Sequence, residues 1–181
     1  MKNIKRLFAV LAVGLIISGC GVDEVVKGTL DSMVESLTSG MDKKYTTLSP
    51  FKIDIPDNGV VRMKVNADTT TDVKNVAVAI YASHERIGDL KLTLVSPLGT
   101  SVVLMENIGG NNELKEAIGF RDNASNSLSD YPSATTTYKP QENLSAFTGE
   151  NPNGDWELIV EDTQNGKVGK TTGFSIWLDL D

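Results

Sequence analysis

The chain is poor in cysteine, histidine, aromatic side chains and positive charge, and each shortage removes a class of function. Cys20 is the only cysteine among 181 residues, so an intrachain disulfide, a thiolate zinc site and a Cys-Cys redox pair are all excluded. His84 is the only histidine, and the pair His84-Glu85 lacks the second histidine that a zinc protease needs on the same helix face. The Gly-x-Ser-x-Gly elbow of the α/β-hydrolases is missing as well. Aromatics make up 6% of the chain, few for a protein that would stack sugars or bases on exposed rings. Lys and Arg number 17 against 24 Asp and Glu, a balance that repels phosphate backbones. The longest apolar run, Leu7 to Ile17, is shorter than the roughly 20 residues of a membrane-spanning helix.

What is present begins with a leader. Lys2, Lys5 and Arg6 precede the apolar run, and Ser18-Gly19 closes it with small residues directly before Cys20. That is the layout of a secretory signal over residues 1–19, and Ile17-Ser18-Gly19-Cys20 resembles a bacterial lipobox. The resemblance implies cleavage between Gly19 and Cys20, acylation of Cys20 by palmitate-like chains, and a mature lipoprotein held at a membrane, several chains together giving a stable anchor. An ordinary signal peptide with a cysteine nearby is the competing reading. Gly21, where an Asp would retain the protein at the inner membrane of enteric bacteria, points to the outer membrane, facing the periplasm or the cell surface. Without the leader, Lys and Arg fall by 3 to 14, against an unchanged 24 acids, so the mature surface is strongly acidic.

Residues 20–48 read as a tether. Val22, Val26, Leu30, Met33, Val34, Leu37 and Met41 recur at steps of three and four, the spacing of one helix face, while Gly28 and Gly40 each weaken a helix by about 1 kcal/mol. The tether is then either a partly helical spacer or a short helix packing on the following domain or a partner.

From residue 49 to 181 the period changes to two, and this stretch is a normal size for one domain. Phe51, Ile53 and Ile55 lead into the turn Pro56-Asp57-Asn58-Gly59, and Val61, Met63 and Val65 alternate with polar neighbours. Val73 to Tyr81 is apolar at nearly every position, as in a strand covered on both faces. Leu90 to Leu94 and Ser101 to Glu106 flank Ser96-Pro97-Leu98-Gly99, a hairpin signal. Residues 107–143 are mostly loop around a short apolar piece at Ile118 and Phe120, and the sequons at Asn123 and Asn143 fall in it. Leu144 to Phe147, Trp156 to Val160 and Phe174 to Leu180 complete an all-β, jelly-roll-like antiparallel β-sandwich of eight or nine strands.

Several phrases then fall into a specific order: the apolar strand ending in Ala82-Ser83-His84; Gly88-Asp89-Leu90; Ser96-Pro97-Leu98-Gly99-Thr100; Phe147, Gly149 and Glu150; Gly154-Asp155-Trp156 with a strand ending in Asp162; and Gly173 before the last aromatic strand with Trp177. From near Asp72 to the C-terminus this order resembles the P domain of the proprotein convertases, the β-sandwich that follows the protease domain in kexin and furin. The resemblance implies a non-catalytic module that in those enzymes packs against the protease and stabilises it. Each marked residue has a structural role to fill. Asp89 can accept backbone N–H bonds, Gly88 and Gly154 can supply positive φ, Trp156 and Trp177 can fill the space between sheets, and His84 can serve at a strand end.

Function follows from what the module lacks. A Ser-His-Asp protease requires a catalytic domain for which the sandwich leaves no room, and Glu106, Glu150 and Glu157 are the carboxylates from which a glycosidase pair would be drawn. The expectation is a tethered protein-binding module of the envelope, whose partner could be a protease. The alternative is a carbohydrate-binding module, with Tyr131 and Tyr138 in the long loop as stacking platforms. No cofactor is expected, apart from calcium at Asp122, Asn123, Asn126 and Asp130, where the oxygens are dense but the EF-hand spacing is missing.

Overall fold

The computed structural model describes residues 24–133 and 136–181, with side-chain surroundings from Leu30 onward. The leader, Cys20 and Gly19 lie outside the described residues. Among the described residues nine strands follow one helix: α1 (Glu24–Thr38), β1 (Lys43–Ile55), β2 (Val60–Ala67), β3 (Val73–His84), β4 (Leu90–Val95), β5 (Ser101–Glu106), β6 (Ile118–Arg121), β7 (Thr137–Tyr138), β8 (Gly154–Asp162) and β9 (Gly169–Leu180). They form a five-stranded sheet, β1-β9-β3-β6-β7, and a four-stranded sheet, β2-β8-β4-β5. All pairings are antiparallel except β6 with β7. With the two-residue β7 set aside, this is the interleaved order of a jelly roll, two Greek keys wound together.

Alternation decides which side chains meet between the sheets. Leu90, Leu92 and Leu94 of β4, Trp156, Leu158 and Val160 of β8, and Phe174, Ile176 and Leu178 of β9 are all buried in one cluster. Burying each such side chain is worth about 1.5–3 kcal/mol. The hairpin signal holds: Gly99 N–H bonds Ser96 O (3.0 Å), Ser96 N–H bonds Thr100 O (2.9 Å), and Gly99 takes φ 90°. A type I turn followed by a left-handed glycine is a standard hairpin closure.

The five-stranded sheet is buried on its other face too, and here the tether proves to be part of the fold. Leu30, Met33 and Leu37 of α1 pack with Ala77, Ala79, Ala117 and Trp177 in a second cluster. A Cβ on Gly119 would lie 3.0 Å from Leu37 Cδ1 and 3.3 Å from Met33 Cγ, so the helix rests directly on β6. This explains the unbroken apolarity of β3: Val76, Val78 and Ile80 face the sandwich, while Ala77 and Ala79 face the helix. Of the two readings of the tether, the packed helix is the one observed, and β1 begins at Lys43, so the expected boundary at residue 49 falls inside a strand.

Three further expectations are corrected. Trp177 lies on the outer face under α1, not between the sheets; its parity along β9 is opposite to that of Ile176 and Leu178. Lys44 sits 5.2 Å above its ring, and burial pushes that ammonium down from its ordinary value. Leu144–Phe147 is a 3-10 turn that buries Leu144 and Phe147 from a helical spacing, and β7 is the ninth strand. Phe51 does not face inward. The register of β1 on β9 slips between Leu48 and Ile53, and this bulge at the sheet edge leaves Phe51 78% exposed.

Candidate functional site

The family phrases gather into two polar knots at opposite ends of the β4–β8 pair. Leu90 lies opposite Asp162 and Val95 opposite Glu157, so the start of β4 meets the end of β8. At that end His84 Nε2 is 3.2 Å from Asp162 Oδ2, with both side chains 0% exposed. His84 Nδ1 lies 3.1 Å from Arg86 N and 2.8 Å from Arg86 O. Asp162 Oδ1 accepts the Gln164 N–H at 3.1 Å. The carboxylate of Asp89 takes Arg86 Nε at 2.6 Å on each oxygen, while its backbone carbonyl accepts the N–H and the hydroxyl of Thr163. Asp89 thus binds a guanidinium rather than the backbone N–H groups expected of it, and that bond pushes the Arg86 guanidinium up from its ordinary value. The signal for Arg86 was its position three residues before Asp89 in one tight turn.

Glycines let this knot close. A Cβ on Gly169 would stand 2.3 Å from His84 Cδ2 and 2.7 Å from Ser83 O, and one on Gly88 would stand 2.6 Å from Gly110 O. Gly88 therefore serves close approach, whereas Gly154 does take the expected positive φ, 129°.

The second knot joins the β4–β5 turn to the start of β8. Thr100 Oγ1 donates to Glu150 Oε1, Glu150 O accepts the Val73 N–H and Gly149 N–H bonds Val73 O. Pro97 packs against Gly154. Trp156 is fully buried; its Nε1–H reaches Pro152 O at 3.1 Å, and its ring meets Phe147 edge-on at 5.0 Å. The His84 and Asp162 side chains have no exposed surface; the open clefts beside them are lined by Ser83, Glu85 and Val168 rather than by the paired imidazole and carboxylate groups.

Neither knot assembles a catalytic set. The ring nitrogens of His84 bond Arg86 and Asp162, so the pair has the His and the acid of a triad without a serine at the imidazole. Glu157 is held by Arg62 at 3.1 Å and Glu106 by Lys91 at 3.2 Å, while Glu150 lies in the second knot, so the three candidate carboxylates serve separate contacts. In the oxygen-rich loop, Asp122 accepts the N–H groups of Leu144 and Ser145, both at 2.8 Å, and Asp130 accepts that of Ser127 at 2.8 Å. These carboxylates organise backbone; among the described residues no cluster of three or more His, Cys, Asp or Glu side chains is arranged for a metal. The expected sugar platforms are also engaged. Tyr138 is buried, and Tyr131 packs against it with ring centres 5.6 Å apart while donating to Glu113 O at 2.6 Å.

Tyr131 carries a pH dependence. Burial, reinforced by Tyr138 and Glu113, pushes its phenol up to about 12, whereas an unfolded tyrosine ionises near about 10. A value raised by folding means that stability is intact below about 10 and falls as pH rises from there through about 12. Tyr131→Phe is expected to flatten the decline of melting temperature across that alkaline window; an unchanged slope counts against the assignment.

The remaining feature is an open surface. The outer face of the four-stranded sheet carries a row Arg62, Ile159, Thr93, Val103, set by the pairings Arg62–Ile159, Thr93–Ile159 and Thr93–Val103. Beside it run Lys64, Glu157 and Val95. Ile159, Thr93, Val95 and Val103 are half-buried, and no described element packs over them, in contrast to the face under α1. Sequence reasoning passed over these residues because outward positions on an alternating strand are expected to be polar, which Ile159 and Val103 are not.

An all-β sandwich with this strand order belongs to the jelly-roll class of folds. Residues 73–178 match the proprotein convertase P-domain, and the chain belongs to that family. No curated protein matches. Among solved structures it is similar to a serine protease of Aeromonas sobria in complex with its chaperone, at 20% identity over 82% of this chain and 29% of that one, TM-score 0.47. The same protease alone gives 18% identity, the same two coverages and TM-score 0.47. A β-porphyranase of glycoside hydrolase family 86 from Bacteroides plebeius gives 12% identity over 75% and 20% of the two chains, TM-score 0.43. The chain thus spans less than a third of the Aeromonas chains.

Proposed function

We propose that this chain is a non-catalytic P-domain lipoprotein of the bacterial envelope, a tethered module that binds another envelope protein, such as a protease, through the outer face of its four-stranded sheet. The observation that supports this most is the asymmetry of the sandwich. One outer face is covered at its middle by the chain's own helix, and the other presents the half-buried apolar side chains Ile159, Val103 and Val95 around Thr93, rimmed by Arg62, Lys91, Glu106 and Glu157. An apolar centre inside a polar rim is the anatomy of a protein interface. The sealed His84–Asp162 pair gives no support to a hydrolytic role, and the engaged state of Tyr131 and Tyr138 withdraws the support for sugar stacking.

The test is a photo-crosslinking residue placed at Thr93, compared with one at the exposed Lys139, in the full chain expressed in its own envelope. A discrete adduct formed from position 93 and not from 139 is expected. Equal yields from both positions contradict the proposal.

A further inference from the structure

The exposed apolar side chains of the described residues are unevenly placed. Five large ones stand out, Phe51, Ile53, Val60, Leu98 and Val168, and all but Leu98 lie around one corner of the sandwich. Ile55 pairs with Gly169, and Gly169 with His84, so the end of β1, the β1–β2 turn and the β8–β9 loop with Val168 adjoin one another at the His84 end. The loop is tied to the turn by the Gly166 N–H on the Asp57 carboxylate, 2.9 and 3.1 Å to its two oxygens. Leu98 tips the β4–β5 hairpin at the opposite end.

Two ion pairs offset much of the charge at this corner, although the chain as a whole is acidic and Glu161 lies opposite Val60. Lys170 pairs with Asp54 and Lys167 with Glu85, Asp57 is held by the Gly166 amide, and Lys52 stands exposed beside Phe51. Phe and Val at a surface with lysines that can reach outward is the side-chain mixture suited to a headgroup region.

The helix gives the corner its direction. Ser36 O accepts from Arg121 Nη1 at 3.1 Å, Met33 and Leu37 lie over Gly119, and after the helix Asp42 N–H bonds Leu178 O at 2.8 Å. Arg121, Gly119 and Leu178 pair with Ala77, Ala79 and Val76 of β3 respectively. The C-terminal turn of α1 thus points toward the Val73 end of β3, and its N-terminus toward the His84 end. Only residues 21–23 separate Cys20 from the helix start at Glu24, a reach of about 14 Å at full extension.

We infer that the corner formed by Phe51, Ile53, Val60 and Val168 rests on the lipid surface to which the chain is anchored, which leaves the hairpin tip at Leu98 pointing away. This rests on the reading of Cys20 as the lipid attachment site. A helix that packs on the sheet and starts at Glu24, separated from Cys20 by three residues of sequence, is what brings the corner within reach of the headgroups. The four-stranded face then stands beside the membrane and stays open to a partner.

The test uses the full, acylated chain in phosphatidylcholine–phosphatidylglycerol vesicles with and without brominated phosphatidylcholine. Phe51→Trp adds an indole at the corner and Leu98→Trp adds one at the far tip, both at exposed positions; the native Trp156 and Trp177 are buried and are subtracted as background. The expected result is that the indole at 51 shifts to shorter wavelength and loses most of its emission to bromine, while that at 98 keeps a water-like maximum and is unquenched. Vesicle flotation separates the failures. If the protein floats but the indole at 51 is unquenched, or both sites are quenched alike, the orientation is wrong and the anchor stands. If it does not float, the anchor reading fails and the inference falls with it.

Discussion

Replacing Asp162 with alanine is expected to be among the most damaging single changes in the chain. The carboxylate holds His84 Nε2 on one oxygen and the Gln164 amide on the other, in a site with no exposed side-chain surface. Removing the carboxylate leaves the buried imidazole and the Gln164 amide without their hydrogen-bond partner, which costs about 1–3 kcal/mol. For a domain of this size that corresponds to a fall in melting temperature of roughly 5 °C. Asp162→Asn keeps the shape and an acceptor oxygen and is expected to lose less. Thermal denaturation of the two variants checks this, and a melting temperature for Asp162→Ala within a degree or two of the parent would mean that the knot is not structural.

Leu37→Asp is expected to lift α1 from the sheet. Leu37 is 0% exposed and lies against Gly119, so the variant both loses an apolar contact and places a carboxylate over Ala77, Ala79 and Trp177. A Leu deletion at such a site costs about 2–5 kcal/mol, and an unpaired buried charge adds to it unless the helix detaches. Detachment exposes Trp177 but not Trp156, which lies between the sheets. In a Trp156→Phe background, fluorescence should therefore move to longer wavelength on Leu37→Asp with the β-sheet circular dichroism largely retained. Unmoved Trp177 emission would show that the helix does not depend on this contact.

These two sites mark how far the sequence could be read. The inner-facing residues of β4, β8 and β9 were legible because alternation carries one bit per residue, facing in or out, and the turns at Pro56–Gly59 and Ser96–Gly99 announced themselves by backbone chemistry. Trp177 departs from expectation for the same reason: an aromatic on a strand reads as filling the space between sheets, but the parity of β9 puts it on the outside, and only the helix explains why it is buried there. Leu144–Phe147 misled because four residues do not distinguish period two from a 3-10 turn. At the knots, the residue types were visible and their partners were not. Arg86 with Asp89, His84 with Asp162 and Thr100 with Glu150 span 3, 78 and 50 positions, and only the short pair could have been read locally. The outer strip of the four-stranded sheet depends on cross-strand register, which no single strand encodes.

The measurement that bears most directly on the account compares the parent with Ile159→Lys in the envelope, using the crosslinker at Thr93. Ile159 is half-buried on the uncovered face, so the substitution is expected to leave the melting temperature nearly unchanged and to abolish the adduct. An adduct of undiminished yield from a folded Ile159→Lys chain would contradict the assignment of that face, and with it the view of the protein as a module that acts by contact.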